Sequence, residues 1–151
     1  MVLDWRENCP VAGGLADFVC ADSLTRFLSA RGRFAVAVDA LGLTQDPHLF
    51  ADYALPRVVF QRRVTLLLDG VPLVHAQSVC APQSLWCEHL DRGAASLGLL
   101  LFSNRLEGLT RSPLQFAEIA PYALARRSWF EWQGEKLFLS ECFLPQAAEC
   151  F

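Results

Sequence analysis

The sequence lacks the features of several protein classes. Its 151 residues include no stretch of about 18 apolar residues without charge, so no membrane-spanning helix is predicted. The first residues, 1–7, lack the basic segment and following apolar run of a secretory signal peptide. Only 19 % of the residues are charged and the net charge is −3, which disfavours nucleic-acid binding. We therefore expect a cytoplasmic protein in which local arginines hold any anionic ligand.

The cysteines show no metal-binding or catalytic pattern. None of the six belongs to a CxxC pair: Cys9, Cys20, Cys80, Cys87, Cys142 and Cys150. We expect them to be reduced thiols that pack as small hydrophobic side chains. Cys80 and Cys87, taken with His75 and His89, match no zinc-ligand spacing. Since no cysteine has an activating base nearby in sequence, a nucleophilic thiol is not predicted either.

The remaining composition indicates one domain of the α+β class. Hydrophobic residues make up 53 % of the chain, and 11 Phe and 4 Trp provide a substantial core. Helices are predicted at 15–20 and 82–90, and between an N-cap at Asp22 or Ser23 and Gly32. Strands are predicted at 34–39, 58–68, 73–79, 126–132 and 135–144, whereas 98–102 fits either a helix or a strand and 41–56 a loop. Hairpin-connected strands with few helices indicate a single antiparallel sheet.

A carboxylate interrupts the last apolar strand. Alternation puts Glu141 on one face with Leu139 and Phe143, and the opposite face, with Phe138 and Cys142, is no more polar. Glu141 is therefore predicted to point into a core or an apolar pocket. There it would either hold a proton or require a cationic partner, and both outcomes serve acid–base chemistry. The alternatives are a plain buried ion pair, or a glutamate at a strand end that reaches water.

An arginine lies on the apolar face of the strand at 58–68. Arg62 shares that face with Phe60 and Val64, whereas Arg63 lies on the more polar face. An arginine does not lose its proton when it is buried, so Arg62 requires an anion, either Glu141 or a ligand carboxylate. The alternative is an arginine whose stem is buried while its charged head reaches water.

Two turns fix the expected pairing of the strands. Asp69-Gly70 predicts a hairpin whose return strand places four residues on the Arg62 face: Leu73, His75, Gln77 and Val79. Gln133-Gly134 predicts a second hairpin with a two-residue loop. That loop pairs Glu131 with Lys136, and Arg126 with Glu141 on the same face.

Taken together, these segments resemble the chorismate lyase family from about Leu15 to Pro145. The resemblance is carried by Ala21-Asp22-Ser23-Leu24-Thr25, Arg62 eight residues before Gly70, Ser96-Leu97-Gly98, Leu109-Thr110-Arg111, Arg126-Arg127-Ser128 and Ser140-Glu141-Cys142-Phe143-Leu144-Pro145. The order and spacing of these segments are specific. They include Arg62 and Glu141, the two charged residues found on apolar strand faces.

The resemblance implies an enzyme of bacterial ubiquinone synthesis that converts chorismate into 4-hydroxybenzoate and pyruvate. It implies a sheet of about six antiparallel strands with helices packed on it, acting without metal or cofactor, and we expect a monomer. By the same resemblance Arg62 binds the ring carboxylate, Leu97 contributes a backbone contact, Glu141 meets the hydroxyl end of the product, and Leu24 lines the pocket. The resemblance therefore implies that Glu141 and Arg62 are the catalytic residues.

One position departs from the family. Gln77 stands where relatives often have an arginine, which leaves one fewer positive group for a substrate with two carboxylates. Arg111 and Arg126 are the candidates to replace that charge, and sequence alone does not choose between them.

Two other functions compete with the lyase. Effector-binding domains of bacterial transcription regulators share the chorismate lyase fold, so the protein is alternatively a ligand-binding module without catalysis. Those modules usually follow a DNA-binding domain, for which we expect no room before Leu15, and no basic recognition helix is present. A structural partner protein is the third hypothesis, and its signature would be an exposed apolar patch.

Overall fold

One antiparallel sheet organises the protein, and the computed structural model describes residues 3–151. The seven strands are β1 (Phe34–Thr44), β2 (Val59–Leu68), β3 (Val71–Cys80), β4 (Thr110–Arg111), β5 (Gln115–Ala117), β6 (Leu124–Trp132) and β7 (Glu135–Phe143). Their order is β1-β2-β3-β7-β6-β4, and β5 also pairs with β6. The α+β class is confirmed, and the sheet has seven strands rather than about six.

Five short helices accompany the sheet in the part of the chain that the structure describes. They are α1 (Gly13–Val19), α2 (Leu24–Ser29), α3 (Trp86–Leu90), α4 (Leu97–Leu101) and α5 (Ala147–Cys150), and a 3₁₀ turn spans His48–Phe50. Of the two predicted N-caps for α2, Ser23 is the one observed, since its side chain accepts a hydrogen bond from the Arg26 amide. None of the helices in residues 3–151 is long and apolar enough to cross a membrane.

Gly32 has a different role from the predicted one. Helix α2 ends at Ser29, and Gly32 follows it against the Asp69 carboxylate. A Cβ at position 32 would lie 2.6 Å from an oxygen of Asp69, so a larger residue would push this side chain away. Asp69 in turn accepts a hydrogen bond from the Arg33 amide, which ties the start of β1 to the β2–β3 turn.

The β2–β3 hairpin has the predicted tight turn but a different register. Asp69 and Gly70 both have positive φ, as a tight hairpin turn requires. A β-bulge then shifts the pairing, because Leu67 faces Pro72 whereas Leu66 faces Val74. Proline lacks the N–H that regular pairing uses, and in paired strands it is found at such irregularities.

The bulge reverses the faces of β3. Ser78 lies opposite Arg62, and Gln77 lies opposite Arg63 on the other face of the sheet. The prediction that Gln77 shares the Arg62 face is therefore wrong, and so are the matching placements of His75 and Val79. The β6–β7 hairpin, in contrast, has the predicted register. Glu131 faces Lys136, and Arg126 faces Glu141.

The helices cover one face of the sheet, and a loop covers part of the other. On the helix-covered face, Phe18 and Leu28 pack with Phe143, and farther along Trp86 packs with Leu137. The predicted loop at 41–56 is partly strand, since β1 continues to Thr44. Its later part lies on the opposite face, where buried Phe50 packs against Val79 and Phe138.

Candidate active site

A cavity on the helix-covered face of the sheet, with a volume of about 50 Å³, brings together the residues predicted from sequence. Its lining includes all six: Leu24, Arg62, Leu97, Arg111, Arg126 and Glu141. These side chains come from α2, α4 and four different strands. They therefore form one site through tertiary structure rather than through proximity in sequence.

Arg62 is a buried cation held by carbonyl oxygens. Its side chain donates to Gly93 O at 2.6 Å, Ala95 O at 2.7 Å and Leu90 O at 3.4 Å. Leu90 is the last residue of α3, and the other two residues lie between α3 and α4. Burial lowers the pKa of Arg62, and the positive charge of Arg92 lowers this pKa further. The residue is only 2 % exposed, so the alternative of a charged head in water is wrong.

The positive charge of Arg62 is not compensated by a carboxylate within the described part of the chain. The three salt bridges found there join Arg6 to Asp4, Arg126 to Glu141 and Arg127 to Asp52. Glu141 is therefore not the partner of Arg62. Since a buried charge is costly without a counter-charge, this end of the cavity favours an anionic ligand.

Glu141 forms a buried ion pair with Arg126. Arg126 Nε donates to Glu141 Oε1 at 2.7 Å, and the two residues are 1 % and 6 % exposed. The ion-pair alternative is thus confirmed, yet Glu141 also lines the cavity. Its second carboxylate oxygen has no hydrogen-bond donor among residues 3–151 and is available to a ligand.

Arg126 and Arg111 differ in what they offer to a ligand. Arg126 Nη1 donates to Val19 O at 2.8 Å and Ala21 O at 2.6 Å, in addition to the bond from Nε to Glu141. Its main role is to join β6 to the chain between α1 and α2. Arg111 Nε donates to Ser128 and its Nη1 to Asp22 O.

Arg111 keeps one nitrogen, Nη2, without a hydrogen-bond acceptor in the described chain. Burial lowers the pKa of Arg111 to about 10, with the Glu141 charge acting in the opposite direction. The side chain therefore stays protonated at neutral pH. Its guanidinium carbon lies 4.8 Å from the centre of the Phe130 ring, which holds it over an apolar surface.

The register of the sheet separates the two residues at the charged ends of the cavity. Arg62 faces Ser78 on β3, and Ala76, two residues earlier, faces Glu141 on β7. Two strand spacings and two residues along a strand give about 12 Å between the Cα atoms of Arg62 and Glu141. Val64, Ala76 and Leu139 line the space between them, so the site is apolar in the middle and charged at its ends.

Helices α2 and α4 meet over this cavity. The hydroxyls of Thr25 and Ser96 are 2.6 Å apart. A Cβ at Gly98 would lie 2.5 Å from Thr25 Oγ1, so glycine is needed for the close approach of the two helices. Arg26 also reaches across to the Phe102 carbonyl. Sequence reasoning did not single out Thr25 or Ser96, although both fall inside the segments that carry the family resemblance.

Gln77 lies outside the cavity. Its side-chain nitrogen donates to Gln61 Oε1 at 2.9 Å and Asp46 O at 3.1 Å in a groove on the opposite face. The glutamine therefore does not remove a charge from the cavity that contains Arg62.

No group of three or more potential metal ligands occurs in the part of the chain that the structure describes. Cys80 and Cys87 approach each other to 3.7 Å between their sulfur atoms, whereas His75 hydrogen-bonds Tyr122 on the opposite face. The four residues considered as a zinc cluster are thus not gathered in one place. The charged residues that line the cavity are three arginines, Glu141 and Asp22.

Solved structures share this architecture. The effector domain of PhnF from Mycobacterium smegmatis superposes with a TM-score of 0.56 over 82 % of this chain and 89 % of that domain, at 14 % identity. A longer PhnF structure gives 0.57 over 84 % of this chain and 65 % of that one. At such identities the likeness shows the fold.

Sequence comparison identifies the family. A probable chorismate pyruvate-lyase of Shewanella amazonensis is 33 % identical over 91 % of this chain and 82 % of the relative. Probable chorismate pyruvate-lyase 1 of Burkholderia pseudomallei is 30 % identical over 82 % of this chain and 78 % of the relative. The chorismate lyase family model matches residues 19–149. The predicted lyase class is thus confirmed, and the chain belongs to the chorismate lyase family.

Proposed function

We propose that the protein eliminates pyruvate from chorismate and releases 4-hydroxybenzoate. The observation that carries the proposal is the buried Arg62, which lines the cavity without a carboxylate partner. Opposite it lies an oxygen of Glu141 that accepts no hydrogen bond; both absences hold for residues 3–151. A planar ring with a carboxylate at one end and a hydroxyl at the other complements both groups.

The ring carboxylate binds at the Arg62 end. Arg62 has five N–H donors, and the three carbonyl contacts leave donors for a carboxylate. The backbone of Leu97, at the start of α4, supplies a further contact on this side. Leu24, from α2, covers the apolar part of the ring.

The hydroxyl of the ring binds Glu141, and Arg111 binds the enolpyruvyl carboxylate. In chorismate the ether and the hydroxyl are on neighbouring ring carbons, so the second carboxylate lies close to Glu141. Arg126 already donates to three oxygens and is paired with Glu141, whereas Arg111 donates to only two; the Nη2 of each arginine has no acceptor among residues 3–151. Of the two candidate arginines, Arg111 is therefore the one we assign to the substrate.

The reaction breaks one C–O bond and makes the ring aromatic. The hydrogen on the hydroxyl-bearing carbon leaves as a proton while the bond from the adjacent carbon to the ether oxygen breaks. The electron pair of the broken C–H bond completes the aromatic ring, and a proton reaches the methylene carbon of the enolpyruvyl group to form pyruvate. Atoms and charge balance without an external oxidant or reductant, and no cofactor is proposed.

The residues accelerate this step by holding the geometry and stabilising the charges. Arg62 and Arg111 fix the two carboxylates, and positioning in a preorganised charged site is a large part of catalysis. Glu141 accepts the hydrogen bond of the ring hydroxyl and is placed to carry the proton. Arg126 orients Glu141 through the 2.7 Å bond.

The shared fold leaves a second candidate, a small-molecule effector-binding domain without catalysis, because fold alone does not define function. Within the lyase proposal, we place the protein in the cytoplasm as a monomeric single domain that catalyses the first committed step of ubiquinone biosynthesis.

The test is to incubate the purified protein with chorismate, with no added metal, and to quantify both products. We expect 4-hydroxybenzoate and pyruvate in equal amounts, at a rate proportional to protein concentration. A matched preparation of the Arg62→Ala variant controls for contaminating lyase. Tight binding of 4-hydroxybenzoate with no turnover would support the effector-binding alternative and refute the enzyme.

A further inference from the structure

Two buried hydroxyl groups meet at the contact between α2 and α4. Thr25 Oγ1 and Ser96 Oγ are 2.6 Å apart, both residues are buried, and both line the cavity. Neither residue is a group that the proposed chemistry requires. Their position inside the cavity raises the question of what the pair offers to a ligand.

One of the two hydroxyl hydrogens in this pair has no acceptor among the described residues. Each hydroxyl has one hydrogen, and the bond between Thr25 and Ser96 uses only one of the two. The other hydroxyl hydrogen has no further acceptor among the described residues. A ligand oxygen in the cavity would satisfy it.

The surroundings favour Ser96 as the hydroxyl that donates to the ligand. Ser96 directly follows Ala95, whose carbonyl accepts the 2.7 Å bond from Arg62, so Ser96 lies at the Arg62 end of the cavity. Thr25 Oγ1 packs directly against Gly98 of α4, where a Cβ would come within 2.5 Å of it. Thr25 is therefore best placed to donate to Ser96, and Ser96 to turn its own hydrogen toward the anion.

We propose that Ser96 donates a hydrogen bond to the carboxylate that Arg62 binds, and that Thr25 orients the Ser96 hydroxyl. The proposal rests on the proposed function, because it takes a carboxylate at Arg62 as given. It makes Ser96 a residue that distinguishes ring acids from ring compounds without an acid group.

Calorimetric titration with two probes tests this role. We use 4-hydroxybenzoate and 4-methylphenol, which keeps the ring and hydroxyl but has no carboxylate. Ser96→Ala should weaken 4-hydroxybenzoate binding by about tenfold to a hundredfold, the usual range for a hydrogen bond to a charged group. Binding of 4-methylphenol should change by less than about twofold. Ser96→Gly, which also removes the hydroxyl but suits a helix N-cap, is the second variant.

The Thr25 variants separate binding from packing. Thr25→Val breaks the same hydroxyl pair but leaves Ser96 able to donate, so it should weaken 4-hydroxybenzoate binding by less than about threefold. Thr25→Ser should behave like the wild type. Ser140→Ala, which removes a buried serine hydroxyl on the opposite face of the sheet, is the matched control.

The outcomes are distinct. Equal losses in Ser96→Ala and Thr25→Val, or equal losses for both probes, would show that the pair only packs the helices and would overturn the proposal. Unchanged 4-hydroxybenzoate binding in both Ser96 variants would also overturn it, while leaving the lyase intact. A wild-type protein that neither binds 4-hydroxybenzoate nor converts chorismate would instead refute the proposed function itself.

Discussion

Arg126 and Glu141 face each other on neighbouring strands and form a buried ion pair, with 2.7 Å between Nε and Oε1. The arginine also donates to Val19 O and Ala21 O. One side chain thus fixes the glutamate at the site and the chain that leads into α2. Because the pair orients Glu141 while leaving one carboxylate oxygen without a donor among residues 3–151, the contact combines a structural role with the functional role that we propose for Glu141.

Glu141→Gln should lower the rate of chorismate turnover by about 10²–10⁴-fold, the usual contribution of general acid–base catalysis. The amide still offers an oxygen to Arg126, so we expect a folded protein with reduced thermal stability. Steady-state kinetics and thermal unfolding measure the two effects. Glu131→Gln, which changes the glutamate opposite Lys136 in the same hairpin, is the control. Turnover within a factor of a few of the wild type would limit Glu141 to positioning.

Arg62→Ala should weaken binding of 4-hydroxybenzoate by roughly tenfold to a few hundredfold, because it removes charge-assisted bonds in a buried site. Arg63→Ala, at the exposed neighbouring position on the other face of the sheet, should change binding little. Calorimetric titration compares them directly. Equal losses from the two variants would contradict the assignment of the anion site to Arg62.

Arg111→Met should distinguish the substrate from the product. Chorismate carries a second carboxylate that 4-hydroxybenzoate lacks, so the variant should lose about tenfold or more in kcat/KM for chorismate. The Kd of 4-hydroxybenzoate should change less, since methionine keeps much of the apolar contact with Phe130. If the affinity for 4-hydroxybenzoate fell by the same factor as kcat/KM for chorismate, Arg111 would not bind the enolpyruvyl carboxylate selectively.

Product release is expected to limit turnover. Helix α2 covers the cavity and is joined to the α4 side by the bond from Arg26 to Phe102 O and by the Thr25–Ser96 contact. Opening this cover is a conformational step of the kind that limits many enzymes. The segment 22–32 is the candidate moving part. The later part of the segment 41–56 packs on the opposite face of the sheet, so we do not expect it to open this cavity.

Rapid-mixing kinetics should therefore show a burst of 4-hydroxybenzoate equal to the enzyme concentration, followed by a slower steady rate. Arg26→Ala, which removes one bond across the cover, should raise the steady rate without changing the burst. A linear time course from the first turnover, together with weak product inhibition, would remove release as the limiting step.

The sequence was sufficient where the structure depends on local periodicity. Period-two alternation put Arg62 and Glu141 on the covered face of the sheet, and the two-residue turn at Gln133-Gly134 gave the register that pairs Arg126 with Glu141. These features follow from a few neighbouring residues, so no distant contact was needed to predict them.

The same reasoning failed where one irregularity intervened. A single bulge after Pro72 moved Gln77 to the other face, and alternation alone does not show where an extra residue is inserted. The carbonyl partners of Arg62 and the pairing of Thr25 with Ser96 could not be predicted from the sequence either. These contacts join segments 28 to 71 residues apart, and only the folded chain brings them together.

A crystal structure of the protein with 4-hydroxybenzoate tests the placement of the ligand most directly. We predict one molecule in the cavity between α2 and the sheet, with its carboxylate within hydrogen-bond distance of Arg62 and its hydroxyl on the free oxygen of Glu141. A molecule bound in the opposite orientation, or in the groove that contains Gln77, would contradict the assignment of the active site.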